Sequence, residues 1–171
     1  MRALIRCPAS VCLLAAALAT ALPVHAQAQE VRRNWFNDPF VQLTSAIAAC
    51  PQPAGPFITL AEKQQQAHHR IERGTSCWLA GQCRLANSYA YDAGIASDFL
   101  RAWPAQGRLA QTSLWLTVQG RVIWVDGCVG DVAVAGEIEA LAKGLADVQQ
   151  VTVRVVADLS APLPYPQLPP P

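Results

Sequence analysis

Histidine is scarce in this chain, three residues in 171. His25 falls in an apolar N-terminal stretch, and His68 and His69 sit together on one polar segment. No cysteine is placed beside them, G-x-S-x-G is absent, and so is C-x-x-C. These absences remove the Cys–His nucleophile, the hydrolase elbow and the dithiol oxidoreductase motif. Glu137 and Glu139 lie two apart, so on a helix they do not share a face and read as solvated charges. "CWLAGQC", Cys77 to Cys83, has C-x5-C rather than the C-x2-C of common zinc modules, and His68 with Glu72 offers two ligands without a third. The reading is a protein that is not an enzyme, with no metal and no cofactor.

Long apolar runs and charge imbalance are also missing. The run from Val11 to about Val24 falls short of the roughly 20 residues that span a bilayer. Two arginines precede it and small residues around Ala26 and Ala28 follow, the pattern of a secretory signal peptide over residues 1–26. Without Arg2 and Arg6 the remaining chain has 11 basic and 12 acidic residues, a net charge of −1. Bulk electrostatics therefore makes no case for nucleic acid, and no transmembrane segment is expected in the mature chain. Cys50, Cys77, Cys83 and Cys128 remain. An even number in an exported chain reads as two disulfides, with a metal site or a reactive thiol as the alternatives.

Residues 27–89 read as an irregular, cysteine-containing segment with one helix. Thr59 and Glu62 form a capping box ahead of "LAEKQQQAHHRIER", and Gly74 is a fitting stop. The thin apolar stripe Leu60, Ala67 and Ile71 places this helix on a surface. From residue 90 to 157 the pattern is regular. "YDAGIASDFLRAW" is a helix with Ile95, Phe99 and Trp103 in line, broken by Pro104. "TSLWLTV" and "VIWVDGCV" alternate as strands about a turn at Gln119-Gly120. "DVAVAGEIEALAKGLADV" is a second helix, with Val134, Ile138, Leu141 and Leu145 along one stripe, and "QQVTVRVV" is a last strand. The expected fold is α+β: a three-stranded mixed sheet in the order α-β-β-α-β, both helices on one face. Residues 158–171, rich in proline, are expected to form an exposed polyproline-type tail.

Residues 91–156 resemble a BON domain, the periplasmic module of osmotic-shock and nodulation proteins. Ile123, Val125, Gly127 and Val129 take the V, L, G and V positions of a G-x-V-x-L-x-G-x-V pattern, and "LADVQQVTVRV" matches the helix end and last strand, with Val148, Val151 and Val153 in register. Two positions depart from it. Gly120 lies one residue further from Ile123 than the pattern has it, which implies a lengthened or bulged turn, and Asp147 stands where the family has glycine. The resemblance implies a periplasmic, non-catalytic envelope protein that contacts phospholipid or envelope proteins and supports envelope integrity or osmotic stress tolerance. A scaffold subunit of a secretion or export assembly is the other expectation.

Alternation along the hairpin assigns its faces. Leu114, Leu116, Val118, Ile123, Val125 and Gly127 share the helix side, which leaves Trp115, Trp124 and Cys128 on the back. With the turn at Gln119-Gly120, Trp115 stands directly opposite Trp124. Two exposed tryptophans would form a sizeable apolar patch, each worth about 3 kcal/mol or more when buried. One expectation is that the N-terminal segment covers them with Trp35, Phe36 and Trp78, tied by a Cys50–Cys128 disulfide, with Cys77–Cys83 closed across Gly81. Spacing alone leaves all three pairings open. The other expectation is a contact face in which Trp115 and Trp124, with Arg121 at the turn, meet a lipid interface.

Overall fold

A four-stranded sheet organises the chain. The computed structural model describes residues 30–104 and 107–168; the signal-peptide expectation lies outside them. The strands are β1 (Phe40–Ser45), β2 (Ser113–Gln119), β3 (Val122–Cys128) and β4 (Gln150–Val156), in the spatial order β1-β2-β3-β4. β1 and β3 run antiparallel to β2, and β4 runs parallel to β3. The helices are α1 (Leu60–Glu72), the short α2 (Thr75–Leu79), α3 (Asp92–Ala102) and α4 (Val134–Lys143). The α+β class is as read from sequence. The strand count of three is corrected to four, and the element order begins with β1 rather than with a helix.

β1 escaped the sequence reading because its alternation is broken. Its register against β2 shifts between Gln42 and Thr44, so the two-residue period does not run through the strand. The Thr44 hydroxyl oxygen instead accepts from the Leu114 amide at 3.1 Å and meets the Thr112 hydroxyl at 2.8 Å.

The core lies between the sheet and α3 with α4. Leu114, Leu116, Val118, Ile123 and Val125 meet Ile95, Phe99, Val134, Ile138 and Ala142, and Val151, Val153 and Val155 of β4 complete the layer. Trp103, at the end of α3, stacks on Phe99 with centroids 5.5 Å apart. The period-two and period-3.6 patterns therefore point at each other, which is why both were readable in the sequence.

The hairpin turn is Gly120-Arg121, not Gln119-Gly120. Gln119 pairs with Val122, and both central residues are left-handed, with φ of 60° and 69°, the type I′ pattern whose twist matches that of the strands. An arginine is a poor choice for that conformation. Asp92, at the start of α3, holds it by accepting from the Gly120 amide at 2.6 Å and the Arg121 amide at 2.8 Å. The turn is thus a regular two-residue one, neither lengthened nor bulged. Asp147, where the BON pattern has glycine, is likewise left-handed at φ 65°.

The proline-rich tail is largely exposed, as expected, as far as residue 168, but it is not free, and Tyr165 is the buried one among its described residues. It folds back on the sheet: Pro166 accepts from the Ala54 amide at 2.8 Å, Pro53 bridges Gln167, and Tyr165 is buried with its hydroxyl donating to Pro51 at 3.0 Å. Proline cannot extend a ladder but its carbonyl still accepts, and a single tyrosine supplies the apolar anchor.

Candidate functional site

The back of the sheet carries the residues the sequence singled out. Parity holds, but the register moves by two residues, so Trp115 faces Asp126 and Trp124 faces Thr117. The two tryptophans are diagonal neighbours rather than a direct pair. Trp115 is only 6% exposed, and Trp124 is half-buried.

The cover is anchored at both ends of that face. At one end Cys50 is disulfide-bonded to Cys128, and the Tyr165 hydroxyl lies 3.7 Å from the first sulfur and 3.6 Å from the second. At the other end Phe57 stacks edge-on against Phe40 of β1, and a Cβ on Gly55 would fall 2.6 Å from the Phe40 ring. The segment Cys50–Phe57, with the returning tail, therefore closes over the back. Trp35, Phe36 and Trp78 make other contacts. The Trp35 indole donates to Ile58 at 2.8 Å beneath Lys63 and Arg33, Phe36 stacks under Arg70, and Trp78 faces solvent.

Beside Trp115 lies a buried charge. Asp126 is 2% exposed and accepts from Arg154 Nε at 2.6 Å and Nη2 at 2.7 Å, across the parallel β3–β4 pair. Burial pushes its carboxyl above the ordinary range, and the Arg154 guanidinium pulls the other way. The Tyr165 phenol is pushed up by burial and by the Asp126 charge. Breaking the pair by Arg154→Met should cost about 3 kcal/mol or more at neutral pH, because it leaves a buried carboxylate unpaired. The loss should shrink in acid: with the folded value raised further, protonation favours the native state, so stability is greatest below the unfolded value near 3.8 and falls as pH rises through the folded one. Urea denaturation at pH 5 and pH 7 measures both effects.

Arg121 is not free at the turn. Its Nε donates to the Asp147 carbonyl at 2.6 Å, its guanidinium lies 4.7 Å from the Tyr91 ring centroid, and Nη1 reaches Cys83 Sγ at 3.2 Å. Cys83 is disulfide-bonded to Cys77. Trp115, Trp124 and Arg121 are therefore not brought together as one exposed surface: one is interior, one half-covered, and one tied to its neighbours.

A second buried ion pair had no sequence signal. Arg70, the buried residue of α1, pairs with Asp38 and is sandwiched between Phe36 at 4.0 Å and Tyr89 at 3.7 Å; Gln119 donates to the same carboxylate at 2.6 Å. On a helical wheel Arg70 reads as solvated, and only packing reveals otherwise. The capping box of α1 is present, with Glu62 accepting from the Thr59 amide at 2.7 Å. His68 and Glu72 pair on its exposed side at 3.4 Å.

Eight large apolar residues among the described ones are exposed; five of them, Val31, Leu60, Leu100, Val132 and Leu159, are scattered, and three fall within nine positions of each other. Ile71 and Leu79 are each 72% exposed and Trp78 is 46% exposed, from the end of α1 through α2 and into the disulfide-closed loop. Residues 73–91 contain Arg73 and Arg84 and no acidic residue. Over residues 63–91 the formal charge is +3, four basic residues against Glu72, in a chain whose total without residues 1–26 is −1; of the four, Arg70 is buried against Asp38 and Arg84 is paired with Asp147.

The fold and these contacts define a disulfide-stapled α+β protein whose sheet is covered on both faces. Comparison with protein-family models, with curated proteins and with solved structures finds no match.

Proposed function

We propose that this is an exported, periplasmic, non-catalytic binding protein of the cell envelope that contacts anionic phospholipid, and that the contact is made by Ile71, Trp78 and Leu79 rather than by Trp115 and Trp124. The observation that carries this reading is the coincidence of the exposed apolar side chains with the basic, acid-free stretch around Arg73 and Arg84. Exposed apolar side chains flanked in sequence by Arg73 and by Arg84, the latter paired with Asp147, suit the interface of an anionic bilayer, where a tryptophan ring straddles the headgroup level. The two disulfides agree with an oxidising compartment, and no helix among the described residues is long and apolar enough to cross a membrane. The resemblance of residues 91–156 to BON domains supports the envelope assignment and the role in integrity or osmotic stress.

Cosedimentation with phosphatidylglycerol vesicles tests the proposal. The intact protein should pellet with them and not with phosphatidylcholine vesicles. The double variant Trp78→Ala, Leu79→Ala should lose roughly tenfold or more in affinity while keeping its fold, since both side chains are outside the core. Undiminished binding by that variant sinks the assignment of the surface.

One observation favours the scaffold reading as a second possibility. β4 is an edge strand of seven residues that pairs only with β3 among the described residues. An open edge is a template for a strand of another subunit. Light scattering decides it: a large, discrete oligomer supports a scaffold subunit, and a monomer removes it.

A further inference from the structure

The two disulfides differ in their surroundings, although Cys50 is half-exposed like Cys77 and Cys83. Cys128 is buried on the sheet, and the Tyr165 hydroxyl is within 3.7 Å of both sulfurs of the Cys50–Cys128 bridge. Cys77 and Cys83 are half-exposed, six residues apart, in a loop whose neighbours Trp78, Leu79, Gly81 and Gln82 are all exposed. One sulfur of this second bridge has a cation of its own. Arg121 Nη1 lies 3.2 Å from Cys83 Sγ. That guanidinium is held independently of the bridge by the Asp147 carbonyl and the Tyr91 ring, and the Arg121 backbone is fixed by its amide on Asp92. The other charges beside it are Arg84, which also lies over Tyr91, and the Asp147 carboxylate, which Arg84 occupies. No cationic partner of Cys77 is found among the described residues.

We propose that Cys77–Cys83 is a thiol–disulfide exchange site for a dithiol reductant, with Cys77 the sulfur attacked and Cys83 the leaving thiolate, stabilised by the positioning residue Arg121. A thiolate of the dithiol attacks Cys77 Sγ, the Cys77–Cys83 bond breaks, and its electron pair stays on Cys83 beside the guanidinium. The second thiol of the reductant loses its proton and attacks the mixed disulfide, releasing Cys77 as thiolate. The protein gains two electrons and the reductant leaves as a disulfide. Exchange rates rise as the leaving thiolate is stabilised, and fall when access to the sulfur is blocked, so the two bridges of this chain separate in reactivity. Cleavage here also opens only a short loop and leaves the long-range staple intact, so the fold can persist in both states.

The test uses the intact, oxidised protein. Exposed briefly to limiting glutathione and quenched with acid, the chain should carry the adduct on Cys77 and a free, alkylatable Cys83, as read by peptide mapping. With dithiothreitol, Cys77 and Cys83 should become alkylatable while Cys50 and Cys128 remain protected. Arg121→Gln should slow opening of the exposed bridge roughly three- to tenfold, from loss of thiolate stabilisation at the leaving sulfur, with an unchanged circular dichroism spectrum. An adduct on Cys83 or spread equally over both sulfurs, simultaneous opening of the two bridges, or an unaltered rate in the folded variant would overturn the proposal. The adduct position is read on the wild-type chain, so it decides even where Arg121→Gln does not fold.

Discussion

Gly127→Ala should abolish the cooperative unfolding transition, or lower stability by more than about 4 kcal/mol where a transition survives. Gly127 sits in β3 at φ 146°, a backbone conformation that L side chains rarely adopt. A Cβ built there falls 2.0 Å from the Ser113 carbonyl oxygen and 3.0 Å from Leu114 Cα. Both are backbone atoms of the neighbouring strand, so no rotamer change relieves the clash; β2 and β3 must separate where Cys128 leads into the buried staple. Gly130→Ala, two residues beyond the strand with open space around it, is the control and should change stability by no more than about 0.5 kcal/mol. Urea denaturation followed by tryptophan fluorescence checks both. The glycine of the BON-like pattern therefore has a steric reason in this chain.

Loss of the Cys50–Cys128 bridge should be the next largest effect. It joins residues 78 apart, so in the chain-entropy account its removal relaxes the unfolded state by about 4.5 kcal/mol, against about 2 kcal/mol for the Cys77–Cys83 bridge with its separation of 6. The tertiary consequence should be as telling as the stability. The bridge holds the segment Cys50–Phe57 and, through Pro51, Ala54 and Tyr165, the returning tail, so the double variant Cys50→Ser, Cys128→Ser should expose the back of the sheet. Trp115 fluorescence should shift to the red and the Ala54 amide, which donates to Pro166, should lose hydrogen-exchange protection, changes that Cys77→Ser, Cys83→Ser should not produce. A stability loss equal for the two double variants would contradict the role given to the long staple.

Several features were legible because their causes are local. The α1 capping box needs only Thr59 and Glu62, three residues apart. The two faces of the hairpin follow from alternation, and alternation survives the two-residue correction of the register, so the assignment of Leu114, Leu116 and Val118 to the core and of Trp115 and Cys128 to the back did not depend on the turn. That parity also pointed Cys128 toward the N-terminal segment. The position of the turn itself was missed because Arg121 is an unusual left-handed residue, and what makes it acceptable is Asp92, 29 residues earlier in the chain.

The sequence by itself determined the secondary elements from α3 to β4, their apolar faces and the need for something to cover the back of the sheet, because each rests on periodicity or capping within a few residues. Only the tertiary structure decided what the cover is and what stays outside. β1, the Asp38–Arg70 pair, the Tyr165 anchor and the Arg121–Cys83 contact join residues 32 to 115 positions apart, and such contacts leave no periodic trace in the chain. Arg70 is inside and Trp78 outside for the same reason: burial is settled by the partners that arrive from elsewhere, a carboxylate and two aromatic rings for the one and, among the described residues, no covering segment for the other.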